Sequence, residues 1–306
     1  MRKVVVIFMI CSSFLTQAQQ EPLFTQYYVN DIIINPAISG SKQYSSIVLQ
    51  SQKKWLGFEN APMITSITYQ GALNNQSAIG GYLMYDNSYP FTRSDLNLSY
   101  AYHIPLDYDE VNLSFGISAD LLYYNLNFND MMLPETIDPA FTNKTYTKIL
   151  PNASAGVYLY APNFYLGYSS KNLIDTEFKE SQTSNFPNLI YRSYYGVAGY
   201  RFLILNNDWQ IEPSLLYSKQ ENSYNTLNLT TRIIYLDNNW AGVTLRNNGN
   251  IGFNFGLGLG TLNFGYSFDH TFRGDIAEYN YGTHEFTIEF SFENLASKRH
   301  ISYWGY

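Results

Sequence analysis

The residues able to carry chemistry are few in this 306-residue chain, and their spacing limits what they can do. There are four histidines: His103, His270, His284 and His300. Asp269 and His270 stand just before one connection and His284 just after it, which brings candidate acid and base groups near each other. No Gly-x-Ser-x-Gly elbow and no metal-ligand spacing accompanies them. "FNDMMLPETIDPAF" at 128–141 offers three acids to calcium but lacks the regular ligand spacing of a calcium loop. "GFNFGLGLGTLNFG" at 252–265 has the glycines of a nucleotide loop, yet no helix follows to hold phosphate. Glycines at every second position suit a strand packed closely against whatever lies beside it. The chain reads as non-enzymatic, with no catalytic group, cofactor or metal ligand assigned.

The start of the chain has the parts of a secretory leader. Arg2 and Lys3 supply positive charge, Val4–Phe14 an apolar run, and Thr16-Gln17-Ala18 a cleavage site, so residues 1–18 are expected to be removed. Cys11 would suit a lipoprotein, but Ile10 is bulky where a lipidated cysteine needs a small predecessor. Loss of Arg2 and Lys3 moves the net charge from −7 to −9, which argues against a nucleic-acid partner. Charged residues make up 14% of the chain, against about 25% in an average soluble domain. Aromatic residues reach 17%, and no later apolar run approaches the roughly 20 residues of a membrane-spanning helix.

Alternation with a period of two dominates the rest and predicts strands. In "VNLSFGISADLLY" one face carries Val111, Leu113, Phe115, Ile117, Ala119 and Leu121, and the other carries Asn112, Ser114, Gly116, Ser118 and Asp120. About fourteen such segments are expected, near 44–53, 62–71, 77–87, 92–104, 110–125, 152–160, 163–170, 193–205, 209–218, 224–236, 239–246, 250–259, 262–270 and 283–293. Connections then alternate short and long, with the long ones, 126–151, 171–192 and 271–282, all at one end. Asp95, Asp120, Arg201, Glu212, Arg232, Asp269, Glu285 and Glu289 fall on the less apolar phase of their strands. A soluble β-sandwich would segregate them in the same way. The leader, the loop asymmetry and the aromatic content point instead to an all-β transmembrane antiparallel β-barrel of the bacterial outer membrane. The expected layout is an irregular periplasmic segment at 19–43, the barrel at 44–293 and a periplasmic tail at 294–306. Pro213, inside "WQIEPSLLY", fits a sheet poorly because it cannot donate to the ladder.

Several motifs make a specific resemblance. "EPLFTQYYVNDIIINPAISGS" resembles the opening of the PorP/SprF family of type IX secretion outer-membrane proteins, through Phe24, Gln26, Tyr27, Asn30, Asn35, Pro36, Ala37 and Gly40. "SQKKWLGFENAP" is similar to the family's next block through Trp55, Gly57, Ala61 and Pro62, with Asn60 where glycine is usual; asparagine tolerates positive φ. "SYAYHIPL" and the closing "YNYGTHEFTIEFSF", with Gly282, His284 and Glu285, are also similar to family signatures. The opening stretch is expected to pack into the barrel mouth or against a periplasmic partner.

The resemblance implies a bacterium of the Bacteroidota and a role in type IX secretion or gliding. The chain would help to secrete or anchor a cargo protein such as an adhesin. Its implied partners are outer-membrane lipid, the cargo's C-terminal domain, and periplasmic secretion or peptidoglycan-linked proteins. Tyr146, Phe178, Phe186, Tyr191, Phe272, Tyr279 and Tyr281 are candidate loop anchors, since aromatics dominate interface energetics. The alternative is a diffusion pore for small solutes.

Overall fold

The computed structural model describes residues 23–107, 111–127, 145–174, 176–178, 188–204, 208–221, 223, 225–272 and 281–294. Its strands are β1 (Tyr44–Lys53), β2 (Met63–Ala72), β3 (Ser77–Ser88), β4 (Phe91–Asp107), β5 (Val111–Asn127), β6 (Thr145–Ala161) and β7 (Phe164–Lys171). A hairpin of β8 (Thr176–Phe178) and β9 (Asn188–Ile190) follows, then β10 (Ser193–Tyr200), β11 (Phe202–Ile204), β12 (Trp209–Gln220), β13 (Thr226–Tyr235) and β14 (Asn239–Arg246). The last three are β15 (Asn250–Leu259), β16 (Leu262–Thr271) and β17 (Thr283–Glu293).

Each barrel strand pairs antiparallel with the next, and β1 pairs with β17 to close the ring. With β8 and β9 set aside in a connection, and β11 continuing β10, the barrel has fourteen strands. Closure joins the first and last strands of the sheet, as a barrel in lipid requires. Among the described residues no helix is long and apolar enough to cross a membrane; the strands do so.

The faces settle what alternation in the sequence left open. Ile47, Leu49, Ile67, Leu83, Leu98, Ile117, Phe253 and Phe255 are all exposed on the outside. Gln50, Gln52, Ser66, Asp120, Glu212, Arg232, Thr287 and Glu285 are buried within. A sandwich hides its apolar face, whereas this barrel presents that face outward, as lipid demands. An Arg or Lys on that outer face at mid-membrane would cost about 2–4 kcal/mol.

Pro213 is accommodated by a break in the neighbouring strand. The β10–β12 ladder runs to Gly199 opposite Ser214, lapses at Tyr200 and Arg201, and resumes in the same register at Phe202 opposite Ile211. The Arg201 amide turns to the carbonyl of Asn163 at 2.7 Å. The strand expected at 193–205 is therefore two pieces of one stave.

Two other expectations need correction. β6 begins at Thr145, seven residues before the predicted start, and β5 runs to Asn127, so the connection expected at 126–151 shrinks to 128–144. Pro151 obscured this in the sequence. It lies in the part of β6 beyond the β7 ladder, where among the described residues the only strand pairing is with β5 and a missing donor costs little. The second concerns the long connection expected at 171–192: β7 runs on to Lys171, and β8 and β9 pair inside that connection.

Candidate functional site

The opening segment forms the site. Residues 23–43, most of the irregular 19–43 stretch that was expected to pack into the barrel mouth or against a periplasmic partner, run inside the barrel. Thr25 and Gln26 meet β16 and β17 near the end that carries the long connections. Gly40 packs against β2 and β3 near the end with the short turns. The stretch therefore crosses the lumen from the long-loop end to the turn end.

Its local form follows from its residues. Two short 3-10 turns, Asp31–Ile33 and Pro36–Ile38, replace any longer helix. Asn35 caps the second by accepting the Ala37 amide at 2.9 Å, and Pro36 at the first position has no amide to leave unsatisfied. Gly40 ends it at φ 68°, a conformation that glycine adopts freely.

The polar wall supplies partners for the segment's backbone. The Glu285 carboxylate accepts the amides of Thr25 at 2.8 Å and Gln26 at 2.9 Å. Its two oxygens also accept the side-chain amides of Gln50 and Gln52 at 2.9 and 2.7 Å. Four donors thus compensate one buried charge. The Thr25 hydroxyl donates to Asp269 at 2.6 Å, and Arg246 bonds both Thr25 and Asp269. Asn30 donates to Gln50 and Ser66, while Asn35 donates to the carbonyl of Val157 at 3.1 Å.

His103, on β4, is accounted for by the segment. Its Nε2 faces the Ser39 carbonyl at 2.9 Å and its Nδ1 the Tyr160 hydroxyl at 2.7 Å. A neutral ring with its hydrogen on Nε2 satisfies both, with Tyr160 donating.

Apolar contacts do the rest. Phe24 and Ile33 pack with Ile64, Tyr82 and Met84; Tyr27 and Ile34 with Tyr195, Val197 and Leu216; Ala37 and Ile38 with Tyr158 and Tyr160. Each large apolar side chain so buried contributes about 1.5–3 kcal/mol. The lumen makes room with glycine: a Cβ at Gly116 would overlap the backbone of Pro36 and Ala37, and one at Gly156 the Asn35 side chain.

A second clamp holds Tyr28. Glu212 lies between Arg201, at 3.1 Å, and Arg232. The Arg232 guanidinium stacks 3.8 Å from the Tyr28 ring, and Trp240 meets that ring edge-on at 5.4 Å. Tyr28 also donates to Asn254 at 3.0 Å.

Among the described residues a space lies at each end of the segment. The turn end holds a chamber of about 1020 Å³, walled by Tyr158, Tyr165 and Trp240 and bordered by Lys42, Glu289 and Glu293. Lys42 joins Glu289 at 3.2 Å and the Val29 carbonyl at 3.2 Å. The long-loop end has a smaller pocket of about 150 Å³ beside Leu23, Lys54 and Arg246. Burial pushes the Lys54 ammonium below its ordinary range, partly opposed by Asp86. Among the described residues no cluster of His, Cys, Asp or Glu is placed to hold a metal.

The residues that carry the sequence resemblance separate into two groups. Phe24, Gln26, Tyr27, Asn30, Asn35, Pro36, Ala37 and Gly40 are all buried in the lumen, and Glu285 is their anchor. The Gln26 carboxamide is fully buried with no hydrogen-bond partner among the described residues. Trp55, Gly57, Ala61 and Pro62 form the first long-end connection, which joins the last one. The Tyr281 amide donates to the Leu56 carbonyl at 2.8 Å, the Leu56 amide donates to the Gly282 carbonyl at 2.9 Å, and the Tyr281 ring lies on Gly57. Asn60 adopts φ 58°. His284 is bound by Tyr266 at 2.8 Å and faces the Tyr281 carbonyl at 3.2 Å.

The candidate loop anchors are not all in loops. Tyr146 belongs to β6 and Phe178 to β8, because pairing extends further than the sequence pattern. Tyr191 is half-buried, whereas Phe272 and Tyr281 are 59% and 74% exposed. Phe186, Tyr279 and the tail from 295 lie outside the described residues. Sequence reasoning missed Thr25, Arg246 and Asp269 as a cluster, since nothing in the spacing joins Thr25 to residues more than 200 positions away.

Comparison with known proteins adds identity to geometry. A family model described as "Type IX secretion system membrane protein PorP/SprF" matches residues 16–290. No curated protein matches. Among solved structures, the CymD monoaromatic hydrocarbon channel is 11% identical with a TM-score of 0.54, covering 87% of this chain and 93% of its own. Omp33 from Acinetobacter baumannii is 11% identical with a TM-score of 0.45, covering 82% and 99%. The NanC porin is 12% identical with a TM-score of 0.41, covering 81% and 99%. The likeness to CymD extends to the fold alone.

Proposed function

This chain belongs to the PorP/SprF family of type IX secretion system membrane proteins, and from that premise we propose that it is a non-enzymatic outer-membrane component of the secretion and gliding machinery. Its task is to assist the secretion, or the surface anchoring, of a cargo protein such as an adhesin. The filled lumen carries this reading. Residues 24–27 and 32–40 are buried against the wall throughout, in space that a solute would need. A diffusion pore for small solutes, the other reading, requires a continuous aqueous path.

The long-loop end holds the C-terminal domain of the cargo, with Phe272 and Tyr281 as its exposed aromatic anchors. Tyr146, Phe178, Phe186, Tyr191 and Tyr279 would add to that surface. The turn end meets periplasmic secretion or peptidoglycan-linked proteins, since short turns face the periplasm in bacterial outer-membrane barrels. The chain reaches that membrane, in a bacterium of the Bacteroidota, after loss of its leader at Ala18.

The test is quantitative comparison of surface and secreted proteins with and without this gene. Loss of one large adhesin, or of all type IX cargo, is the expected result and would set the scope of the role. Unchanged export together with reduced uptake of a solute would overturn it in favour of the pore.

A further inference from the structure

We propose that the turn-end chamber is the seat of the chain's own C-terminal segment, residues 295–306, which folds back beneath the lumenal stretch. This inference is independent of the secretion role. It rests on where the chain leaves the barrel, what the chamber offers and what that segment contains.

The exit is fixed at the chamber's rim. Asn294 lines the chamber and is held there by three bonds: it donates to the Gln43 carbonyl at 2.6 Å, accepts from Ser45 at 2.6 Å and accepts the Ala72 amide at 3.3 Å. The next residue starts from the mouth of the cavity. Twelve residues span up to about 40 Å when extended, so length is no obstacle.

The chemistry of seat and segment is complementary. Five carboxylates and three cations line the chamber. Lys42, Arg201 and Arg232 are already committed to Glu289 and Glu212, whereas Glu293 at the rim has no ion pair among the described residues. "LASKRHISYWGY" brings Lys298 and Arg299 and no acidic side chain. Its Tyr303, Trp304 and Tyr306 match walls where Tyr158 and Tyr160 stack at 5.2 Å and Tyr165 stands 6.2 Å from Tyr158. A chamber of about 1020 Å³ is large enough for a few such side chains. Aromatic–aromatic and cation–π contacts are the interactions these groups can form there.

The experiment uses the full chain, with Cys11→Ser, and one reporter, Ser41→Cys, on the chamber wall. Labelling by a small maleimide is compared with that of the same chain lacking 295–306, with heat-modifiable gel mobility confirming that both barrels are folded. The full chain is expected to label about ten-fold more slowly, the ratio for a seat occupied roughly nine-tenths of the time. The synthetic peptide LASKRHISYWGY restores protection to the shortened chain, and Lys298→Gln with Arg299→Gln weakens it. A pair of Ser41→Cys and Tyr303→Cys forms a disulfide within one chain. Equal labelling rates with and without the segment would overturn the proposal. So would disulfides formed only between two chains, which would assign the seat to a second copy.

Discussion

Replacing Glu285 by alanine isolates the contact that holds the lumenal segment at its upper end. The carboxylate takes the amides of Thr25 and Gln26 together with the side chains of Gln50 and Gln52. The two glutamines can rotate toward other partners; Gln50 already accepts from Asn30. The two backbone amides cannot. A buried donor left unpaired costs about 1–3 kcal/mol, so the pair costs about 2–6 kcal/mol. Even the lower figure should speed local opening about 30-fold. Amide hydrogen exchange at Thr25 and Gln26 reads this directly in the purified barrel, with strand amides of β4 and β5 as internal controls. Conductance in a planar bilayer provides a second reading, silent in the parent chain and marked by transient openings in the variant. If exchange at both residues stayed within about three-fold of the parent while the barrel remained folded, the carboxylate would not be the latch. The account of the filled lumen would then fail at its main polar contact.

Two further outcomes follow from the walls. Gly116→Val drives a side chain into the backbone of Pro36 and Ala37, at an overpacking cost of about 1–3 kcal/mol. The expected result is normal barrel assembly with faster exchange across residues 35–38, and unchanged exchange there would refute the close approach. Ile117→Arg places a charge on the outer face, where Ile117 is 65% exposed. Folding into lipid vesicles under urea should lose about 2–4 kcal/mol, and a loss below about 0.5 kcal/mol would mean that this face does not meet lipid.

The strands were legible because a closed barrel asks every one of them for the same thing. One face meets lipid and the other a polar lumen, so the two-residue period persists from Tyr44 to Glu293. β1, β14, β15 and β17 match their expected bounds to the residue. Departures occur where a strand outlasts its neighbours. Among the described residues the β6–β7 ladder begins only at Ala155, so the earlier part of β6 is under weaker constraint and Pro151 can stand in it. Pro213 has the same logic from the opposite side, with the vacancy placed in the partner strand at Tyr200 and Arg201. What alternation could not give was the direction of the faces, because polarity alone does not say which side is wet.

The lumenal segment resisted reading for a different reason. A helix or strand packs against one surface and repeats with one period, but residues 23–43 are enclosed on all sides by a curved wall. Successive side chains therefore meet different strands: Phe24 meets β2 and β3, Tyr27 meets β10 and β12, Tyr28 meets β13 and β14, and Asn35 meets β6. No period can satisfy that sequence of environments, and each residue is chosen for its own socket. The same enclosure explains why the chain can bury Glu285, Asp269 and Glu212 without neutralising them by bulk water. Glu285 receives two amides from the segment, Asp269 shares Thr25 with Arg246, and Glu212 is flanked by two arginines, one of which stacks on Tyr28. Wall and segment thus complete each other's hydrogen bonds, so displacing either one exposes unpaired groups in both. That mutual dependence is why motifs at the two ends of the chain, around Thr25 and around Glu285, must be read as a single site.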